Sequence, residues 1–132
     1  MILDSSVALK WLIPEDGSET ALELLGQTDL FVPTFFHAEV ANALWKKSRR
    51  GEIRLEEIAP YFAQLPELVT TLDETDAMPR ALAIAVELGH PVYDCVYLAL
   101  AEARDDIILT ADHRFSRKLG GPMARFVREF GS

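Results

Sequence analysis

The chain has 132 residues, of which 49% are hydrophobic and 26% are charged, and its formal net charge is −8. This length suits a single domain with one core, and the composition is far from that of a disordered chain. We therefore expect one domain over residues 1–132. The acidic balance argues against nonspecific binding to nucleic acid, because affinity for phosphate comes mainly from Lys and Arg. Positive charge is concentrated in one short stretch, at Lys46, Lys47, Arg49 and Arg50.

The first half of the chain alternates apolar runs with helix signals. Residues 1–3 predict a short buried strand, and Ser6 is a plausible N-cap for a helix through about Ile13. Ser18 is the expected cap of a second helix. Residues 29–33 predict a second strand, after which Thr34 caps a longer helix to about Arg50.

The second half continues the alternation. Residues 55–64 predict a helix that is kinked or divided at Pro60. A third strand is expected over 68–72 and a fourth over 107–110. Helices are expected from Thr75 to Gly89, from Pro91 to about Ala103, and over 113–119. The pattern of residues 124–130 fits a strand or a helical turn equally.

Short strands that alternate with helices predict an α/β fold with a mostly parallel sheet covered on both faces. In such sheets the functional crevice lies beyond the carboxyl ends of the strands. Four acids fall near this edge. Asp4 ends the first strand, Glu39 lies near the start of the helix after the second, Asp94 lies near the start of a buried helix, and Asp112 follows the fourth strand.

Each of these acids has an ordinary structural alternative, since Asp4 and Asp112 could be helix caps and carboxylates are favoured near helix N-termini. Glu39 and Asp94 are harder to explain by structure alone, because carboxylates are seldom buried unless they are paired or hold a metal. The helices that carry them have no Arg or Lys near these acids. Two carboxylates about 4 Å apart repel by roughly 4 kcal/mol at an effective dielectric constant of 20. Oxygen ligands favour Mg²⁺ or Mn²⁺ over zinc, and such a site suits hydrolysis of a phosphodiester.

Other chemical signals are weak. The histidines, His37, His90 and His113, are scattered without zinc spacing, and a phosphoacceptor role for Asp4 lacks the second Asp expected two residues later. The lone Cys95 excludes an internal disulfide, fits a reducing, cytoplasmic environment and reads as a buried, inert thiol. We expect neither a signal peptide nor a membrane span.

Four segments resemble, in order, the motifs of PIN-domain nucleases, specifically VapC-type toxins of bacterial and archaeal toxin–antitoxin pairs. They are MILDSSVALKW at 1–11, Pro33 followed by EVANAL at 39–44, YDCVYLALA at 93–101 and LTADHRF at 109–115. The resemblance implies a three-layer α/β/α fold with four to five strands and a Mg²⁺- or Mn²⁺-dependent endoribonuclease.

By the same resemblance, Asp4 and Asp94 are the most direct metal ligands, and Glu39 and Asp112 complete the acidic pocket. Ser6 and Thr110 match small hydroxyl residues that orient a metal-bound water, although Ser6 fits capping equally well. A non-catalytic module whose acids grip a partner's Arg side chains is the main alternative.

The resemblance also implies partners. An antitoxin would contact aromatic side chains, unless these belong to the core as most large apolar residues at helical spacing do, and a homodimer is expected. RNA would be contacted by the basic stretch, unless that stretch is only the solvated end of a helix. The aromatic candidates for the antitoxin contact are Trp11, Phe35, Phe36 and Trp45.

Overall fold

The computed structural model of the chain describes residues 1–131, and its centre is a five-stranded sheet in which every strand pairs in parallel. The strand order is β3-β2-β1-β4-β5. The fold class predicted from the sequence is thereby confirmed. The strands are β1 (Ile2–Leu3), β2 (Phe31–Pro33), β3 (Thr70–Leu72), β4 (Ile108–Thr110) and β5 (Val127–Glu129).

Helices connect the strands and cover both faces of the sheet. They are α1 (Ser5–Leu12), α2 (Ser18–Glu23), α3 (Phe36–Arg49), α4 (Leu55–Leu68), α5 (Met78–Leu88), α6 (Val92–Ala103) and α7 (His113–Lys118). Two 3₁₀ turns, Thr75–Ala77 and Gly121–Phe126, precede α5 and β5. The segment whose pattern was ambiguous is therefore a 3₁₀ turn that leads into an edge strand.

Side-chain alternation along the two central strands divides the core into two halves. Ile2 and Ile108 point to one face of the sheet, while Leu3 and Leu109 point to the other. The first face packs against α5, α6 and α7, and the second against α1, α3 and α4. Helix α6 is buried at every position from Cys95 to Ala101, as its apolar pattern predicted.

Two local predictions were wrong for identifiable reasons. Helix α4 is not divided at Pro60 and runs on through Pro66, because both prolines are exposed, where water can satisfy the carbonyl groups left unpaired. The predicted caps fail because their hydroxyls have other partners. Thr34 donates to the buried Glu74, and Ser18 donates to the Ile13 carbonyl. Helix α3 has Phe35 at its N-cap position, and helix α2, whose first residue is Ser18, has Gly17.

Two further expectations concern the environment of the chain. Cys95 is fully buried, and burial raises its pKa to about 11, so its thiol is inert as predicted. Within residues 1–131, no helix has the length and apolar character needed to cross a bilayer.

The buried face of α6 should dominate stability. We expect Leu98→Ala to lower the free energy of unfolding by about 2–5 kcal/mol, because the side chain is wholly enclosed and its loss leaves a cavity. Leu22→Ala, at a half-exposed position on α2, should cost less than about 1 kcal/mol. Urea unfolding of both variants checks the difference, and equal losses would contradict this account of the core.

Candidate active site

Asp4 lies at the carboxyl end of β1, where its backbone N–H donates to the Leu109 carbonyl of β4 at 3.0 Å. Its side chain is only 6% exposed. One carboxylate oxygen accepts hydrogen bonds from Ser6 Oγ at 2.6 Å and Thr110 Oγ1 at 2.8 Å. Asp4 occupies the N-cap position of α1, yet its side chain makes no capping bond. Ser6 is therefore not a cap but a donor to Asp4.

The position of Asp4 opposes its ionisation. Burial raises the pKa of its carboxyl group above the ordinary value, and the hydrogen bonds from Ser6 and Thr110 lower it in part. The charges of Asp94 and Asp112 raise it further. These effects require that the carboxylates lie close enough to repel one another.

Glu39 lies in the first turn of α3 and accepts a hydrogen bond from the Tyr97 hydroxyl of α6. Burial raises the pKa of Glu39 to about 7. The Tyr97 hydrogen bond opposes this shift, while Asp4 and Asp94 add to it. Tyr97 is completely buried, and its own pKa is raised by burial and by Glu39, so its hydroxyl remains a donor. Sequence reasoning missed Tyr97, because its partner lies 58 residues away.

Asp94 lies in the first turn of α6 and is held by His90, whose Nε2 is 2.6 Å from one carboxylate oxygen. The other ring nitrogen, Nδ1, is buried without a hydrogen-bond partner within residues 1–131. Because a carboxylate offers only acceptors, Nε2 carries the proton that the ring donates to Asp94. The sequence interpretation gave His90 no role, although the spacing of four residues from Asp94 was visible.

Asp112 is a helix cap, as one of its two interpretations predicted. Its carboxylate accepts hydrogen bonds from the backbone N–H groups of Arg114 and Phe115 at the start of α7. Thr110 connects it to Asp4. The Thr110 hydroxyl donates to Asp4 and accepts from the backbone N–H of Asp112 at 2.9 Å. Capping and membership of the acidic group are therefore compatible for Asp112.

The structure brings Asp4, Glu39, Asp94 and Asp112 to one edge of the sheet and holds each with donors other than Lys or Arg. Over residues 1–131, none of these carboxylates has a Lys or Arg nitrogen within 4 Å. Each carboxylate accepts hydrogen bonds from its own donors. Among the described residues, no three Asp, Glu, His or Cys side chains are arranged so that they could hold a metal ion together. Their chemistry nevertheless fits a hard divalent cation, which oxygen ligands prefer and which relieves the repulsion among them.

The predicted RNA-contact residues lie at the other end of α3 from Glu39. Lys46 lies on the same face of α3 as Glu39 and about 10 Å farther along the helix axis, and Arg50 follows the last turn. Lys47 pairs with Glu52 at 3.7 Å, and the Arg49 guanidinium stacks over the Trp45 ring at 5.0 Å. The basic stretch is therefore outside the acidic group.

One of the aromatic candidates for a partner contact is excluded. Phe36 is fully buried in the core, so that prediction was wrong. Trp45 is 50% exposed. Trp11 is partly buried, donates its indole N–H to the Ala21 carbonyl, and lines a surface groove with Leu22, Ile58 and Tyr61.

Comparison with known proteins identifies relatives over most of the chain. Residues 1–119 match the PIN domain. The chain is 33% identical over 122 residues to a protein named Ribonuclease VapC3 from Pyrobaculum aerophilum, covering 89% of this chain and 93% of that protein.

Among solved structures, one Pyrobaculum aerophilum protein aligns with a TM-score of 0.74 at 20% identity, over 98% of this chain and 89% of that one. A toxin–antitoxin complex from Klebsiella pneumoniae aligns with a TM-score of 0.65 at 15% identity, over 96% of this chain and 94% of that one. At these identities the solved structures establish the fold alone.

The burial of Glu39, together with repulsion from Asp4 and Asp94, predicts a pH-dependent stability in the absence of metal. Because folding raises the pKa of Glu39 from 4.5 to about 7, its contribution to stability is full below about pH 4.5 and is lost as the pH rises through 7. Glu39→Gln keeps an acceptor for Tyr97 and removes this loss. Discounted for the partial exposure of Glu39, the gain over wild type at pH 8 should be about 1–2 kcal/mol.

Urea unfolding in a chelator at pH 5 and pH 8 measures this effect. Glu67→Gln, exposed on α4, is the matched control and should follow the wild type. If Glu39→Gln unfolded with the same pH dependence as the wild type, the ionisation of Glu39 would not be what destabilises the fold at high pH.

Proposed function

The chain belongs to the PIN-domain family and, within it, to the VapC ribonucleases, and on this premise we propose that it is a metal-dependent endoribonuclease and the toxin of a VapBC-type pair. The observation that carries the proposal is the convergence of Asp4, Glu39, Asp94 and Asp112 at one sheet edge without a neutralising Lys or Arg. A carboxylate group of this kind destabilises the fold unless a cation binds it.

Asp4 and Asp94 would hold the metal directly, and Glu39 and Asp112 would complete the pocket. The cation is Mg²⁺, with Mn²⁺ able to substitute, because all four side chains offer only oxygen ligands. Bound there, the metal would supply an activated water and neutralise the charge that develops on the scissile phosphate.

The chain's own residues prepare this site. Ser6 and Thr110 fix one oxygen of Asp4, which leaves the other oxygen without a hydrogen-bond partner in residues 1–131. His90 does the same for Asp94. Tyr97 holds one oxygen of Glu39 in the same way.

RNA is held by the basic end of α3. Lys46, Lys47, Arg49 and Arg50 provide phosphate contacts that offset the net charge of −8, and they lie on the same helix as Glu39. A strand of RNA along α3 therefore passes from these cations to the acids.

The partners are an antitoxin and a second copy of the chain. The aromatic residues Trp11, Phe35 and Trp45 are the contact candidates for the antitoxin. The dimer contact is assigned to α5, where Met78, Leu82 and Val86 form an exposed apolar stripe at a spacing of four residues. We also propose that residues 1–132 form a single domain.

Purified protein should cleave RNA in Mg²⁺ or Mn²⁺ but not in a chelator. Asp4→Asn and Asp94→Asn should each lower the rate by at least about a hundredfold, because each removes a charge from the cation site. Asp105→Asn, at an exposed position whose positive φ Asn tolerates, is the control. Equal cleavage by wild type and both site variants would refute the proposal, and a lack of Mn²⁺ binding by calorimetry would favour the non-catalytic alternative.

The α5 stripe gives a separate prediction about assembly. Val86→Glu places a charge at a position that is 77% exposed, so the fold should be unaffected while the dimer dissociates. Sedimentation velocity checks this, with Leu55→Glu on α4 as the control for an added surface charge. A dimer that persists in Val86→Glu would exclude this contact.

A further inference from the structure

A small open cavity adjoins the acidic group on the side of α3. Its volume is about 260 Å³, and its lining consists of Phe35, Ala38, Glu39, Asn42 and Tyr93. Glu39 belongs both to this cavity and to the acidic group, and Tyr93 directly precedes Asp94. We propose that the cavity is a subsite for one unpaired nucleobase of the RNA substrate, an inference that rests on the proposed ribonuclease function.

Tyr93 provides the stacking surface. Tyr93 is 60% exposed although its ring is large and mostly apolar. The ring is nonetheless fixed, since it meets Phe35 edge-to-face at 5.7 Å and 80°. Phe35 in turn meets the buried Tyr97 at 5.8 Å and 87°. An exposed aromatic ring held in place by others is a ready platform for a base, because stacking then fixes few additional rotamers.

Asn42 provides polar recognition. Its side chain is exposed on α3, and its amide has no hydrogen-bond partner within residues 1–131. An amide offers a donor and an acceptor side by side, which complements the edge of a base. Ala38, between Phe35 and Asn42 along the helix, is small and leaves room for a flat ring.

The chemistry of the lining favours a base over a phosphate. Glu39 and the aromatic rings oppose an anion, whereas cations lie farther along the exposed face of α3. Lys46 is one turn beyond Asn42, and Arg49 stacks on Trp45 one turn further. A base beside Glu39 therefore keeps its own phosphates near the acids and directs the neighbouring ones toward these cations. Single-stranded RNA presents splayed bases of this kind, whereas a duplex does not.

The test compares RNA with and without bases. Fluorescence anisotropy measures the affinity of oligo(A)₈ and of an abasic ribose-phosphate 8-mer, in proteins that all carry Asp4→Asn so that the probe stays intact. The protein with Tyr93 should prefer oligo(A)₈ by roughly 5- to 150-fold, which corresponds to stacking of one base. Tyr93→Leu should lose most of this preference without weakening the abasic probe, and Tyr93→Phe should retain it.

Tyr61→Leu is the matched control, because Tyr61 on α4 is 59% exposed, and it should keep the full preference. Asn42→Ala should mainly alter the ratio of oligo(A)₈ to oligo(U)₈ affinity. Equal losses for both probes in Tyr93→Leu, or a preference that Tyr93→Leu leaves intact, would overturn the subsite. A change in sedimentation with no change in preference would instead make Tyr93 a contact between copies, and would also overturn it.

Failure of the subsite remains distinct from failure of the ribonuclease. Cleavage of RNA by the protein with its native Asp4, together with no preference for bases, rejects the subsite alone. If that protein neither cleaves RNA nor binds either probe in the Asp4→Asn form, both proposals are rejected.

Discussion

The repulsion among carboxylates at the carboxyl edge of the sheet is the constraint on which the rest of the structure depends. Asp4 is buried at the end of β1, and burial, with a further contribution from neighbouring acids, raises its pKa and that of Glu39. The helices could relieve this repulsion cheaply by supplying Arg or Lys. They supply hydroxyls, backbone N–H groups and a His ring N–H, which fix the orientation of each carboxylate. The edge therefore keeps its concentrated negative charge, at a cost to the stability of the metal-free fold.

Much of this arrangement could be predicted from the sequence. A carboxylate that interrupts an apolar run is conspicuous, and parallel strands bring their carboxyl ends to one edge, so Asp4, Glu39, Asp94 and Asp112 were identified together. Their donors were mostly not identified, because hydrogen bonds across the fold leave no local pattern. Tyr97 lies in a helix that is apolar all round and reads as core, yet its hydroxyl reaches Glu39.

The failed cap predictions at Ser6 and Thr34 have the same cause. Ser6 and Thr34 are good caps by type, but a hydroxyl that can satisfy a buried carboxylate gains more there than at a helix terminus, where water is an alternative partner. Local propensity was thus overridden wherever a buried acid needed a donor. The wrong prediction for Phe36 has a different cause. An aromatic side chain can lie in the core or at the surface, so its type alone did not show that Phe36 is buried.

The start of α6 explains how one helix can serve structure and chemistry together. Successive residues on a helix point about 100° apart, so Tyr93 and Asp94 face different directions, while Asp94 and Tyr97, three residues apart, share a face. Asp94 and Tyr97 therefore both reach the acidic group, and Tyr93 is left outside against Phe35. From Cys95 to Ala101 the helix is buried, which anchors these positions against the sheet. A base stacked on Tyr93 would thus be held by the same rigid element that positions Asp94, so the base and Asp94 would move together.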